Sequence, residues 1–568
     1  MKAWRVLALF AVVGCSFASP DVATIENSCA NDASCPVGVC DGNICVDDSG
    51  ASVDVTIEVL RDSSDVQLET PASWAIEPES FSGSSTRDIV LPATREVRGV
   101  VRWDGSRVPA TLRFVRRMAG AVAPLTPVPV EVDTFREPAG EEGSEAYDYS
   151  TALVAGETYD VVVLPSSDMV MTPAEAAAPA IRSLPPLYLE LRIDDGDLAA
   201  ALRFDVVFPP ELAEACTENI DIGCTLAAEV LGVDGEEKLP AAGLQVRAID
   251  KNSARVVSSI GETDEFGRVA IRINGSATDY WIRLTSSGDG DPFPAVSVDP
   301  AVPLANDPIE IPLLDPVQFT GRVRDVNDSP VPAATVRFLS IGIFGGSQLG
   351  LEGSFGASAT TDEDGSFGAE LLPGTYSIAV TPPEAVESAW GVLVTTLPVA
   401  EDTTEAGTLI VPAQISLRGQ VTTFSEESAP GVTILARARL GEDSAVLHRS
   451  QEAVSSDMGA FAMSVDAGLY DMHVKMSSET GFAWLLEPEL AMSEASGDLE
   501  RGYRLDPPIP VRGVIRASNG EVVPNALIRA YAFTTAEGDA SRSIQVAETV
   551  SGEDGSYRLL IDPRLDDE

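Results

Sequence analysis

A unit of about sixty residues, repeated along the chain, limits what this protein can fold into. Its clearest copy opens at Gly321 as GRVRDVNDSPVPAATVRF and continues from Thr361 as TDEDGSFGAELLPGTYSIAV, ending at Val380. Val331, Thr335, Val336 and Phe338 alternate with polar and small residues. An acidic turn, Asp362-Glu363-Asp364-Gly365, then leads into Phe367, and a second turn at Pro373-Gly374 leads into Tyr376, Ile378 and Val380. Short runs of period two, punctuated by Gly, Pro and Asp, are strands and hairpins. A second copy reads LRGQV from Leu417, APGVTILARA from Ala429, SDMGAF from Ser456 and AGLYDMHV from Ala467. A third reads VRGVI from Val511, VPNALIRAY from Val523 and EDGSYRLL from Glu553, and an earlier one reads VRGVV from Val97, VPATLRF from Val108 and AGETYDVVV from Ala155. The weakest runs LPAAGLQVRA from Leu239, TDEFGRVAI from Thr263 and DYWIRL from Asp279. Gly321 and Gly419 are 98 residues apart, and Gly419 and Gly513 are 94 apart. That spacing is domain-sized, not solenoid-sized. The sequence predicts an all-β chain of tandem β-sandwich modules.

The divisions follow the copies. Residues 1–15 form a signal and 16–50 a tether with a cysteine-rich knob. Residues 51–96 are a partial β module, 97–190 a sandwich, 191–316 a divergent sandwich, and 317–412 and 413–508 two well-matched sandwiches. Residues 509–568 make an incomplete one. The strand pattern VDVTIEV from Val53 matches the strands at Tyr376 and Tyr470 in kind, so residues 51–96 read as a back half without its front. The last unit is the reverse, stopping where its copies supply a Gly-x-Tyr turn and another strand. An incomplete terminal repeat or a truncated reading frame is the plainer expectation, and pairing between the two halves the more speculative one. The unit at 191–316 is expected to begin inside an added segment, Leu187 to Phe208. Trp74, Trp390 and Trp484 recur 25, 29 and 29 residues before Gly99, Gly419 and Gly513. Sealing of the sandwich edge by a large aromatic is the favoured reading, and sugar stacking the competing one.

The N-terminus carries an export signal. Lys2 and Arg5 flank an apolar run, Val6 to Val13, that is too short to span a bilayer. The quartet VVGC ending at Cys15 resembles a bacterial lipoprotein signal, in which the cysteine is lipidated and becomes the first residue. The resemblance implies a lipid on Cys15, and Ser16 lacks the Asp associated with inner-membrane retention, which implies the outer membrane. The alternative is an ordinary secretory peptide cut near Ala18-Ser19. Cys29, Cys35, Cys40 and Cys45 form a dense cluster behind this signal and read as a disulfide framework of open connectivity, with zinc the rival reading. Cys216 and Cys224, seven residues intervening, are expected to form a local disulfide.

These units resemble the carboxypeptidase regulatory-like domain, a small Greek-key β-sandwich related to the transthyretin-like fold. The match rests on Gly321, Val331-Pro332, Ala334-Thr335-Val336, Thr361-Asp362, Gly365, Phe367, Leu372-Pro373-Gly374 and Tyr376. The next copy matches at Gly419, Gly431-Val432, Asp457, Gly459, Phe461, Gly468 and Tyr470, and the last carries Gly513, Gly555 and Tyr557. The resemblance implies fold and no catalytic residues. The glycines after the acidic turn are expected at positive φ, and Phe367, Phe461 and Tyr557 are expected to point inward. Calcium at Asp362-Glu363-Asp364-Gly365 is the competing reading of that turn, which the loss of carboxylates around Asp457 weakens.

Composition narrows function. With 88 acidic residues against 38 basic ones, the formal charge is −50, which argues against nucleic acid as a partner. Only two histidines occur. His448 lies in a polar loop, and His473 is expected on a solvated strand face opposite Tyr470, Met472 and Val474. With both histidines in such settings the usual serine or cysteine nucleophile has no base, and neither HExxH nor GxSxG is present. The glycine-rich stretch from Gly342 to Gly356 has no Lys and reads as a hairpin tip rather than a phosphate loop. The expected function is a non-catalytic, surface-anchored rod serving as scaffold or adhesin, held in outer-membrane lipid through Cys15. The alternative is a carbohydrate- or peptide-binding accessory protein, with an extracellular glycan or protein as partner. Aromatics at 6%, mostly at core-like positions, favour the first.

Overall fold

The computed structural model describes residues 26–35, 37–61, 70–118, 125, 127–134, 147–166, 184–196, 198–213, 223–234, 237–274, 280–286, 296–298, 309–313, 316–343, 356–383, 390–400, 405–439, 449–493, 497–534 and 542–565. The copy at Gly321 sets the pattern. Val317–Asp325 pairs antiparallel with Ser366–Leu371 and parallel with Glu405–Val411. Facing it, Thr335–Ile343 lies between Gly356–Thr360 and Gly374–Thr381, and Leu393–Val399 adds to the far side of Gly374–Thr381, all antiparallel. Alternate side chains point between the sheets because the pleat has period two. Phe319, Val323, Val336, Phe338, Phe367, Tyr376 and Ile378 therefore make one core. The parallel pair needs a long crossover, which the second sheet provides.

Two neighbours repeat this arrangement. In one, Ile415–Thr423 lies between Ala460–Val465 and, in parallel, Leu499–Leu505. Thr433–Ala438 and Gly468–Lys475 form the centre of the facing sheet. In the weakest copy, Gly223–Asp234 pairs antiparallel with Arg268–Asn274 and parallel with Ile309–Leu313, over a sheet centred on Leu244–Asp250 and Tyr280–Ser286. Three apolar runs, each crossing proline, supply two strands of successive sandwiches. They break at Pro92, at Pro412, and at Pro507-Pro508, between Ile89–Val90 and Thr94–Gly99, Glu405–Val411 and Ile415–Thr423, and Leu499–Leu505 and Ile509–Arg516. Proline cannot donate to a ladder, so it falls at the break.

The segment expected to open the unit at 191–316 belongs to the preceding sandwich. Leu187–Arg192 pairs with Thr158–Pro165, while Leu202–Arg203 and Val206–Val207 run parallel to Thr94–Gly99 and Val101–Trp103. Leu187, Leu191, Ile193, Val206 and Phe208 complete its core with Val97, Leu112, Phe114 and Val161. Their burial requires this assignment, because without the returning strand one side of that core would be open.

The two partial modules are one sandwich. Ser52–Leu60 pairs antiparallel with Leu527–Thr534, and Ser85–Thr86 and Ile89–Val90 run parallel to Ile509–Arg516. Val53, Val55, Ile57, Val59, Phe81 and Ile89 share a core with Val511, Ile515, Ile528, Val546, Tyr557 and Leu559. The incomplete terminal repeat therefore gives way to a sandwich completed by the segment ahead of the first full module. The rod expected of the tandem modules is drawn into a closed arrangement with it. The chain leaves this closing sandwich at Pro92, passes through four others and returns to it after Pro508. Contacts join each sandwich to the next. The Arg116 guanidinium lies 4.4 Å from the Trp74 ring centroid, and Arg272 lies 4.5 Å from that of Trp103. Leu372 packs into the core around Val230 and Leu244, Arg449 donates to the Trp390 carbonyl at 2.5 Å, and Arg542 meets Asp471 at 2.6 Å. The sandwiches form a closed circuit.

Candidate functional site: the sandwich built from both ends of the chain

Neither half can close a core by itself. Ser52–Leu60 places Val53, Val55, Ile57 and Val59 on one face, and that face needs a second sheet. The strand takes the position beside Leu527–Thr534 that Gly374–Thr381 holds beside Thr335–Ile343. The residues at 85–90 take the position that Leu499–Leu505 holds beside Ile415–Thr423. The opening glycine of the unit records this equivalence. A Cβ on Gly419 would sit 1.8 Å from the Arg501 carbonyl oxygen, one on Gly99 1.8 Å from that of Phe204, and one on Gly513 1.9 Å from that of Arg87. Glycine is required because the returning strand crosses against its Cα. Asp88 accepts from the Val514 backbone N–H at 2.9 Å, as Asp205 accepts from Val100 at 3.0 Å, and the Tyr557 hydroxyl donates to the Arg87 carbonyl at 2.7 Å.

The cysteine knob docks where the fifth sandwich, residues 415–505, meets the closing one. Its connectivity is Cys29–Cys40 and Cys35–Cys45, with Cα separations of 5.8 and 5.5 Å. The zinc reading fails for these four residues, since their sulfurs are bonded in pairs. Asn27 donates from its backbone to the Thr480 carbonyl at 2.8 Å and from Nδ2 to the Gly481 carbonyl at 2.9 Å. Ile44 and Val46 pack on Ala483 of the fifth sandwich and Leu560 of the closing one. Arg512 pairs with Asp41 at 2.6 Å. The Ser84 hydroxyl and this guanidinium together hold the Asp41 carboxyl below the usual range.

Charges at the junctions are buried with partners. Burial pushes the Glu58 carboxyl up, and the Tyr531 hydroxyl, donating to it at 3.0 Å, offsets part of that rise. Asp466 is fully buried and receives Arg449 at 2.6 Å and the Val392 N–H at 3.2 Å. Its carboxyl stays below the usual range because these donors outweigh desolvation. His473 does lie opposite the core face, as the alternation predicts, but it is not solvated. It is 3% exposed, because the closing sandwich covers that face through the Arg542–Asp471 pair and through Leu486, which packs on its core. Burial depresses its pKa to about 4, helped by the neighbouring Lys475 charge, and Nε2 has no protein partner among the described residues.

The other predicted residues occupy structural positions. Gly365, Gly459 and Gly555 have φ of 75°, 73° and 74°. Asp362 Oδ1 accepts from the backbone N–H groups of Asp364 and Ser366 at 2.9 and 2.8 Å, an Asx-turn. In the fifth sandwich this position belongs to Ser456, whose Oγ accepts from Ala460 at 3.2 Å, and Asp457 stands one residue further along. Phe367, Phe461 and Tyr557 are buried, Tyr376 and Tyr470 completely, and Gly374 and Gly468 begin the strands that carry those tyrosines. Sequence reasoning gave no separate role to the residue before this turn. Thr361, Ser455 and Ser551 each accept from the strand-entry N–H of Ala334, Val432 or Ala526 and donate to the carbonyl of Val331, Ala429 or Val523, all at 2.7 to 2.9 Å. A hydroxyl recurring four residues ahead of the turn glycine was the available signal. The tryptophans are half-buried: Lys475 lies 4.1 Å from the Trp484 centroid, and Trp390 Nε1 donates to Asp325 at 3.4 Å. Cys224 is disulfide-bonded, while Cys216, Cys15, His448 and most of the glycine-rich stretch lie outside the described residues.

A cleft of about 900 Å³ opens between the fifth and closing sandwiches. Leu485, Leu486 and Phe533 supply apolar wall, and Glu487, Arg501 and Asp562 supply charge. Glu487 accepts from the Tyr503 hydroxyl at 3.0 Å and faces Arg501 at 3.5 Å. Such a mixed wall can hold a ligand with both apolar and hydrogen-bonding surface.

No family model and no curated protein sequence matches the chain. Among solved structures it is similar to the Bacillus anthracis TIE protein, with 10% identity over 73% of this chain and 74% of that one, at a TM-score of 0.16. It is also similar to GBS52, a minor pilin of Streptococcus agalactiae (10% identity, 34% and 96% covered, TM-score 0.20). The major pilin subunit BcpA of Bacillus cereus matches at 12% identity, with 50% and 99% covered and a TM-score of 0.15. Similarity at these TM-scores carries nothing about activity or partners. What the fold itself defines is a tandem all-β protein whose sandwiches close on themselves.

Proposed function

We propose that the protein is a non-catalytic scaffold or adhesin, exported and held at the outer membrane by a lipid on Cys15. The observation that supports this reading is the use of both chain ends to build one sandwich, which turns a string of modules into a closed framework. In that framework the junction charges serve architecture: Asp466 with Arg449, Asp471 with Arg542, Glu58 with Tyr531. The charge of −50 gives an anionic exterior suited to solubility and to partners bearing cationic groups. The test is membrane fractionation of the full-length protein against its Cys15→Ser variant. Release of the variant into the soluble fraction is the expected result, and retention on the membrane would reject the lipid anchor. The cleft between the fifth and closing sandwiches favours a second reading, binding of an extracellular glycan or peptide. An array of both ligand types, probed with the full chain and with Phe533→Ala, decides it. Binding that the substitution abolishes supports a binding protein, and no binding by either supports the scaffold.

A further inference from the structure

We propose that the N-terminal segment of one molecule, through its described residues 26–35, 37–61 and 70–91, docks into the C-terminal half-sandwich of a second copy, so that molecules link through the closing module. Every described contact that holds this segment to residues 480–561 is non-covalent. The strand pairs run from Thr56 opposite Tyr531 to Leu60 opposite Leu527, and from Ser85 and Ile89 to Ile509–Arg516. The polar contacts are Glu58 with Tyr531, Asp88 with Val514, Asp41 with Arg512 and Asn27 with Gly481. Both knob disulfides lie within residues 29–45 and tie the segment to nothing outside itself. A second copy offers the same ladder, the same core and the same charges.

The connection to the rest of the chain permits the exchange. Leu91 is buried in the closing core and Thr94 begins the next sandwich, so Pro92-Ala93 is the whole connector. When the segment is donated, its own second sandwich (94–207) follows it to the acceptor. Trp74 remains over Arg116, and Ala75 remains beside Leu125. At the other side, Asp471 and Arg542 both belong to the acceptor, and the donated Asn27 finds the acceptor's Gly481. The seams of the closing sandwich are therefore kept, and the acceptor's own second sandwich leaves its place by parting one interface among residues 94–505. Exchange of identical elements replaces the seams it breaks, so that parted interface is its net cost. The choice between closing on itself and closing on a neighbour is set by effective concentration. An opened molecule is driven to find a complement. Ile509–Arg516 then lacks its parallel neighbour, Leu527–Thr534 lacks its antiparallel one, and Val511, Ile515 and Ile528 lose their cover.

The test uses full-length chains carrying one new cysteine each. Glu58 and Arg529 stand opposite one another in the ladder. Glu58→Cys and Arg529→Cys chains are mixed, opened in urea with native disulfides intact, refolded over a range of concentrations and oxidised. The expected product is a covalent dimer containing one of each chain, absent when either variant is refolded alone. Its ratio to monomer should rise about tenfold for a tenfold rise in free chain, by mass action. The doubly substituted chain, oxidised when dilute, should link internally and no longer dimerise. A mixture that stays monomeric at the highest concentration, while the double variant links internally, would overturn the exchange. Failure of the double variant to link internally would overturn it as well, by removing the seam on which it depends.

Discussion

Replacing Ile57 by alanine removes a side chain that is 3% exposed and lies in the core shared by the two chain ends. Its strand stands next to Leu527–Thr534, with Ile57 opposite Ala530. The substitution therefore weakens packing between residues more than 450 positions apart in sequence. An Ile→Ala change at such a site costs about 2–5 kcal/mol, the lost transfer energy plus the cavity left behind. The closing sandwich carries the whole cost if it opens as one unit. Amide exchange in Leu527–Thr534 and Ile509–Arg516 reads it directly, since these amides exchange through opening of the sandwich. At about 1.4 kcal/mol per tenfold, exchange there should accelerate by about 30-fold to several thousand-fold. Amides of Thr335–Ile343, in a sandwich that shares no strand with the substitution, should change little. If Leu527–Thr534 exchanges at its original rate while Ser52–Leu60 accelerates, the two segments do not form one core and the closed circuit is wrong. Proteolysis under native conditions gives an independent reading, with cleavage expected in both segments together.

Gly513→Ala would place a Cβ against the Arg87 carbonyl and should destabilise the closing sandwich by about 1–3 kcal/mol, as overpacking does. Amide exchange in Ile509–Arg516 checks it, and Gly419→Ala should spare those amides while disturbing the fifth sandwich. His473 has a folded pKa of about 4, below its ordinary value, so the folded state binds fewer protons than the unfolded one. Its contribution is present above pH 6.5 and is lost as pH falls towards 4, an effect of up to about 3 kcal/mol that His473→Gln should largely remove from the stability–pH curve. The Glu58 carboxyl is raised by burial, so its ionised form opposes folding above its folded pKa. Glu58→Gln should stabilise the closing sandwich at neutral pH, with the gain shrinking as pH falls and the native carboxyl becomes protonated, measured by thermal unfolding across pH.

The sandwich was legible because its signals are local. Alternation at Tyr470, Met472 and Val474 marks the core face whatever packs above it, and a turn glycine such as Gly365 is required by the backbone at its own position. The residues from Val53 could be matched in kind to the strand missing after Tyr557, yet by sequence alone two such halves read more plainly as incomplete repeats. Their union depends on contacts across most of the chain length, and periodicity carries no information at that range. His473 marks the same boundary. Period two gave its side of the strand correctly, but what covers that side is set by another sandwich, through Arg542 and Leu486. The opening glycine stands between these cases. Its recurrence at Gly99, Gly419 and Gly513 was visible, while its cause, a carbonyl of the returning strand against Cα, needed the third dimension. Pleat, turn and burial act over a few residues, so the order of amino acids is enough to specify repeated β-sandwiches. That the ends of the chain share one sandwich, and that the circuit closes, emerges only in the folded molecule. It rests on which exposed edges and apolar faces can cover one another across the whole chain.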